Sequence, residues 1–434
     1  VLNIIFSLHK NSSMRRLISS FSNNDFVKDF ARLFGGGAAA QIINFAFIAV
    51  ISRLYSDVEL GIFAIFIATA NIIGSTATGK YDQAIMLPKQ EKKARNLFLL
   101  SLFSTLWTSV VVFCVIVIFV LIANITGYSI EHRVLLWFLP AAILINGTVN
   151  TIQSYLNRVG DYGRLANAQL ASSTTTNLLR TPRIIYPTGI FGLAFSYFSA
   201  QLATIVILSK KHWRKWRLLL RHSKINKLPP EAKEYNQFPR YSMPMNLLNL
   251  VSVNLLLLSI SFIWGSALSG QYERAFKLVY IPLEMVGAAF STIFYQRFTL
   301  SKQKVKMYIT SLTITIAVAI IILLPFIFFG QSITTFVLGA NWGSAGIVTG
   351  LIAPMAIFNF GTRCVSMAFA SIGKNRELLI WQATFLVIMA SWVVIGRSQN
   401  FYTFIAYYAA IAGTLYFLLA LLGLYFVKKH KTVE

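Results

Sequence analysis

The sequence predicts an all-α, polytopic membrane protein with about twelve transmembrane helices, and three observations carry that prediction. Of its 434 residues, 56% are hydrophobic and only 12% are charged, against about 25% charged in a soluble globular protein. Apolar stretches of about twenty residues recur along the chain, each long enough for a helix to cross a hydrocarbon core of ~30 Å. The formal charge of +25, from 39 Lys and Arg against 14 Asp and Glu, is gathered into alternate connections. This composition excludes a cytosolic enzyme with a packed core. The placement of the charge suits a membrane surface and no nucleic-acid partner.

Residues 1–30 form a polar N-terminal segment. Its apolar patch from Leu2 to Leu8 ends too soon for a secretory h-region, so the segment is expected to stay on, with Val1 and Met14 as alternative starts. Spans then follow at 31–53, 59–79, 97–123, 134–156, 165–182 and 187–208, and after a basic loop at 244–264, 276–296, 307–329, 346–371, 378–396 and 402–427. The organisation is therefore an N-terminal group of six over 31–208, a loop over 209–243, a C-terminal group of six over 244–427, and a tail over 428–434.

The fifth span is the weakest by hydropathy, because Leu165 to Asn177 is rich in Ser, Thr, Asn and Gln. The charge distribution argues for it. With twelve spans, one side of the membrane collects 31 of the 39 Lys and Arg, the other holds seven, and Arg363 lies within a span. Basic connections stay cytoplasmic, so both termini and the loop with its ten basic residues between Lys210 and Arg240 are expected inside. The run Lys210-Lys211-His212-Trp213-Arg214-Lys215-Trp216-Arg217 reads as a helix on anionic lipid. An even number of spans per half makes any internal repeat a parallel one. A short trace of one is Gly61 two residues before Phe63 and Gly270 two residues before Tyr272, both at the start of a helix.

Cys114 and Cys364 fall in apolar segments and all five His fall in connections or tails, so no disulfide framework, metal site or cofactor is expected. Gly74-Ser75-Thr76-Ala77-Thr78-Gly79-Lys80 has the spacing of a phosphate loop, but Tyr81 replaces the Ser or Thr that holds magnesium and no strand precedes it.

Function is expected in polar stripes, since a polar side chain within the bilayer packs on another helix or faces a hydrated cavity. Asn146, Asn150, Gln153 and Asn157 lie at steps of four, three and four, on one helical face. Asn71, Ser75, Thr78 and Asp82 repeat those steps, as do Gln169, Ser173, Thr176 and Arg180, and Gly37, Gln41, Asn44 and Ser52 share a face of the first span. In the second half Lys277, Tyr280, Glu284, Ser291 and Tyr295 align, with Asn246 and Asn249 on the seventh span, whereas spans three, six, nine, eleven and twelve show no comparable stripe. Contacts between helices are the alternative, but amides on several helices at once favour a shared cavity. Glu284 and Arg363 are charges within spans, each costing at least ~2.5 kcal/mol if uncompensated. They suit either a structural ion pair or a substrate or proton role.

Arg53-Leu54-Tyr55-Ser56, Gly61-Ile62-Phe63 and the stretch from Tyr81 through Pro88 to Lys89 resemble the first third of Wzx-type bacterial polysaccharide flippases, within the multidrug, oligosaccharidyl-lipid and polysaccharide exporter superfamily. The likeness continues through Leu156-Asn157-Arg158, Phe238-Pro239-Arg240-Tyr241-Ser242-Met243-Pro244, Gly270-Gln271-Tyr272, Pro282 and Gly339-Ala340-Asn341-Trp342-Gly343, and covers most of residues 30–390. The resemblance implies two six-helix bundles around a central cavity and alternating access driven by an ion gradient. It also implies an undecaprenyl-diphosphate-linked oligosaccharide as cargo, carried across the bacterial inner membrane, with membrane lipids, a polysaccharide polymerase and a chain-length regulator as partners. A diphosphate cannot cross hydrocarbon unaided. Cationic groups for its phosphates and amides for sugar hydroxyls suit it.

On that reading the far-end basic residues Arg53, Arg180, Arg274 and Lys277, with Arg32 and Lys80 near the inner mouth, are the phosphate candidates, and Asn146, Asn150 and Gln153 are sugar candidates. The alternative for each basic residue is snorkelling to lipid phosphate. The ion-coupling candidates are Glu284, Asp82 and Arg363, with low-dielectric burial expected to favour protonation of Glu284. Arg363 stands where the family resemblance suggests a small or apolar residue, so its role is not carried over. The rivals are an organic-cation exporter of the same superfamily, which would favour carboxylates in the cavity, and a membrane O-antigen polymerase or ligase, which would need a large outer loop.

Overall fold

The computed structural model describes residues 25–126, 133–211, 229–301 and 303–431. Twelve long helices run through the described residues: α1 Asp25–Leu54, α2 Asp57–Thr76, α3 Glu91–Thr126, α4 Arg133–Val159, α5 Tyr162–Leu178, α6 Gly189–Ser209, α7 Met243–Trp264, α8 Ser266–Leu300, α9 Lys304–Leu338, α10 Gly343–Val365, α11 Asn375–Gly396 and α12 Phe401–Lys431. The described residues contain no strand. Ten of the twelve are long and apolar enough to cross a membrane by length and composition, so the chain is a multi-pass membrane protein. The polar α5, only 17 residues long, packs between α1 and α6.

Burial runs opposite to the order of a soluble protein. The most apolar windows, in α3 and α9, are only 17% buried within the protein, while the less apolar window of α10 is 67% buried. Lipid is the solvent for the first pair, so their apolar surface needs no protein partner. α10 instead packs against α8, α9 and α12 at the centre of its bundle.

The contacts sort the helices into two six-helix bundles. In the first, α5 lies between α1 and α6, and α4 touches α2, α3 and α6. In the second, α10 holds α8, α9 and α12 together, and α11 bridges α7 and α12. The bundles meet chiefly where α2 crosses α8, with lesser contacts of α2 on α7 and of α1 on α8 and α9. The end at which α1 begins and α12 finishes is the terminal side, and the opposite end is the far side.

Several boundaries have a local cause. Ser56 caps α2 through a capping box with Glu59: the Ser56 hydroxyl accepts from the Glu59 amide at 3.2 Å, and the Glu59 carboxylate accepts from the Ser56 amide at 2.9 Å. A single left-handed residue, Gly265 at φ 88°, joins α7 to α8. α9 is kinked at Phe329, four residues after Pro325.

Hydropathy understates the helix lengths. α8 begins ten residues before the expected span at 276–296, and α9 continues nine residues beyond 329, because both far-side ends pack on protein. The expected second span runs past a real end. α2 stops at Thr76, and Gly79 and Lys80, both at φ 59°, turn the chain into a four-residue helix, Tyr81–Ala84. Residues 1–24 of the N-terminal segment, 212–228 of the basic loop and 432–434 of the tail lie outside the described residues.

Candidate functional site

Two joined chambers lie between the bundles. The larger, about 1000 Å³, occupies the terminal-side half and is walled by α1, α2, α4, α5 and α6 on one side and by α7, α8 and α10 on the other. The smaller, about 530 Å³, lies toward the far side, and Gln41, Asn44, Asn71, Gln201, Tyr280 and Glu284 line both.

The far side is closed by backbone contact. Gly61 on α2 and Gly270 on α8 face each other. A Cβ on Gly61 would strike the carbonyl oxygen of Ser266, and one on Gly270 would strike that of Asp57. The two glycines of the short internal repeat are thus the two halves of one crossing. Around it, the Gln271 amide donates to Asp57 Oδ2 at 3.1 Å and to the Asn341 carbonyl at 3.0 Å, and its oxygen accepts from the Ala345 amide at 2.9 Å. The Trp342 indole donates to the Ser52 carbonyl at 2.7 Å and Arg53 donates to the Phe336 carbonyl at 2.9 Å. Three of these bonds, those of Gln271 to Asp57, Trp342 and Arg53, join the bundles.

The end of the smaller chamber is cationic. Arg180 follows α5, held by Tyr55, whose hydroxyl donates to the Arg180 carbonyl at 3.1 Å. Its guanidinium donates to Ser196 Oγ at 3.2 Å and lies 5.3 Å from the Phe63 ring centroid. Opposite, on α8, Glu273 is ion-paired with Lys277 one turn on, and its other oxygen is 3.3 Å from Arg274 Nε. Glu273 Oε2 and Arg274 Nε are both buried, and beyond this ion pair neither makes a hydrogen bond among the described residues. Three cations therefore share one carboxylate, with hydrogen-bonding capacity left over.

The larger chamber is two-faced. Its first-bundle wall carries no charged side chain among the described residues; it is built of amides and hydroxyls, from Gln41 on α1 to Gln201 and Thr204 on α6. The second-bundle wall carries Glu284 and Arg363, paired at 3.2 Å. Their side chains are 40% and 65% exposed to the cavity. Glu284 is thus open to the cavity and paired with Arg363, and the low-dielectric burial expected for it is not found. Lys277, on the same helix as Glu284, is taken by Glu273.

The expected site residues divide clearly. Arg180, Arg274 and Lys277 converge on the smaller chamber, Asn146, Asn150, Gln153 and Arg363 line the larger, and Glu284 lines both. Asn146 is committed internally: its oxygen accepts from the Tyr197 hydroxyl at 2.6 Å and its amide donates to Asn71 at 3.3 Å. Arg53, Lys80 and Asp82 line neither chamber. Arg53 braces α9 from outside. Asp82 accepts from the Thr78 hydroxyl at 2.6 Å beside the buried, left-handed Lys80, because the end of α2 carries both residues off the stripe of Asn71 and Ser75. The side chain of Arg32 lies outside the described residues.

Residues missed in the sequence include Glu273, signalled by its Glu-to-Lys spacing of four with Lys277, and Tyr197, Gln201 and Thr204 on α6. The last three are spaced at four and three, on a span read as having no stripe.

Comparison with known proteins agrees with this architecture. Among solved structures, an inward-facing multidrug resistance MATE family transporter of the MOP superfamily is similar at 15% identity and TM-score 0.62, covering 92% of this chain and 94% of its own. The outward-facing conformation of a MATE family transporter of the same superfamily gives 15% and 0.63, covering 94% and 96%. A MATE in complex with MaD3S gives 17% and 0.59, covering 93% and 97%. These likenesses establish the fold, and the nearly equal scores of the inward- and outward-facing structures favour neither conformation. No curated protein sequence matches the chain. A family model described as polysaccharide biosynthesis protein matches residues 32–346. The chain belongs to that family, and its fold is that of the MATE transporters in the superfamily which the sequence resembles.

Proposed function

We propose that this protein is a flippase for a polyisoprenoid-diphosphate-linked oligosaccharide, undecaprenyl diphosphate being the carrier that the resemblance implies, and that it works by ion-coupled alternating access in surface-polysaccharide biosynthesis. The observation that carries the proposal is the smaller chamber, where Arg180, Arg274 and Lys277 exceed Glu273 by two charges. A diphosphate supplies acceptor oxygens and compensating charge, and the amide chamber beside it suits hydroxyl-rich sugars. Membership of the polysaccharide biosynthesis family supports the same cargo.

The terminal side is taken as cytoplasmic on the charge bias, and in a bacterial inner membrane, the location the resemblance implies, the cargo would load from the cytoplasmic leaflet. The protein then moves its cargo without chemical change and is no enzyme. An organic-cation exporter fits less well, since Arg180, Arg274, Lys277 and Arg363 outnumber Glu273 and Glu284 in the lining.

The test is reconstitution. Proteoliposomes holding the full chain should move a fluorescent undecaprenyl-diphosphate disaccharide between leaflets, and Ala at Arg180, Arg274 and Lys277 together should abolish that movement in protein that remains folded. Wild-type flipping of undecaprenol carrying no phosphate at an equal rate would refute the anion assignment.

A further inference from the structure

Resting on the flippase reading, we infer that one wall of the larger chamber, built by Gln41 on α1, Asn150 and Gln153 on α4, and Gln169 on α5, selects the sugar, and that the sugar it selects is uncharged. All four amides line the chamber, and none has a hydrogen-bond partner among the described residues. The neighbouring amides differ in this respect. Asn146 is tied to Tyr197 and Asn71, and Asn177 donates to Asn44 at 2.8 Å. The wall therefore separates into amides that hold the bundle together and amides free to bind cargo.

Each free amide offers two N–H donors and a carbonyl acceptor. A sugar hydroxyl, both donor and acceptor, satisfies either end. A sugar carboxylate accepts only and gains most from a cation. The sole cation lining the larger chamber among the described residues is Arg363, on the opposite wall and already paired with Glu284. A uronic acid against the four amides would have its charge uncompensated, whereas a neutral hexose or acetamido sugar would leave nothing unpaired. Anion recognition belongs to the cluster of Arg180, Arg274 and Lys277 around Glu273, so the lipid diphosphate and the sugar are read in different chambers.

The experiment compares three probes on the full-length protein in nanodiscs: undecaprenyl diphosphate alone, and the same lipid carrying a disaccharide of two neutral hexoses or one with a terminal hexuronic acid. The neutral disaccharide should bind more tightly than the sugar-free lipid. Ala at each of the four positions should remove roughly fivefold of that gain, as for loss of one neutral hydrogen bond, and leave binding of the sugar-free lipid unchanged. Gln153→Lys should raise affinity for the hexuronic probe, a gain that misfolding cannot produce. The inference is overturned if the neutral gain survives all four Ala changes, if the hexuronic probe binds the wild type as well as the neutral one, or if neither sugar adds affinity. Failure of the sugar-free lipid to bind while the neutral disaccharide binds would refute the diphosphate reading alone and support the wall.

Discussion

Replacing Gly270 by Ala puts a methyl group into the carbonyl of Asp57, on the opposite bundle, with the Gly61 amide nitrogen only 3.0 Å from it as well. The obstacle is backbone on both helices, so no side chain can rotate away to relieve it. Overpacking of this kind costs about 1–3 kcal/mol. The cost falls only on the conformation in which α2 and α8 cross closely on the far side. A perturbation confined to one state shifts the equilibrium by its full amount, here about 5- to 150-fold toward a far-side-open state.

The assay is thiol labelling. In a background lacking Cys114 and Cys364, Ala64→Cys places a thiol in the lining of the smaller chamber, shielded in this conformation by the crossing. An impermeant reagent supplied from the far side should label it faster by that factor when Gly270→Ala is added, while a thiol at Ser172 in the larger chamber should label more slowly from the terminal side. Unchanged labelling at both positions, with the protein intact, would refute the assignment of the Gly61–Gly270 crossing as the far-side seal.

Ala substitution of Arg180, Arg274 and Lys277 together should abolish surface polysaccharide at equal protein level, whereas Arg53→Ala, which loses one bond to the Phe336 carbonyl, should leave export near normal; immunoblotting of both checks this. Glu284→Gln should remove gradient-dependent flipping in proteoliposomes and leave abundance unchanged, since an ion pair as exposed as Glu284–Arg363 contributes about 1 kcal/mol or less to stability; full proton-driven flipping would strike Glu284 from the coupling assignment. Cys at Lys233, in the basic connection, should resist an impermeant reagent applied to whole cells with a permeable outer membrane, and Cys at the exposed Asn341 should react; the reverse would invert the topology.

The helices were legible because the bilayer leaves the chain little choice: lipid-exposed segments must be apolar and must satisfy their own backbone hydrogen bonds. The same physics hid their ends. Past the hydrocarbon, α8 and α9 are held by protein contacts, which hydropathy does not register. The amide stripe of α4 was legible from steps of three and four alone. The stripe extended to Asp82 was not real, because the spacing presumes a continuous helix and the turn at Gly79 and Lys80 breaks it. Among far-end basic residues the sequence has no means of choosing. Arg53, Arg180 and Arg183 look alike on the page, yet Arg53 reaches outward to α9, Arg183 pairs with Glu59 at 2.9 Å, and only Arg180 turns toward the chamber.

That selection explains why Glu273 belongs to the site. Three cations without a carboxylate, in a chamber closed at its far end, would carry a desolvation cost with nothing opposing it. Glu273 offsets part of it, through Lys277 on one side and Arg274 on the other, and leaves an excess of two positive charges. A doubly negative headgroup completes the balance, so the proposed cargo stabilises the conformation in which Arg180 of one bundle and the Glu273 cluster of the other face each other. Alternating access must then weaken that shared grip as the bundles part. Tyr280 and Glu284, which line both chambers, stand where a change in the Glu284–Arg363 pair would be felt by the headgroup and by the sugar together.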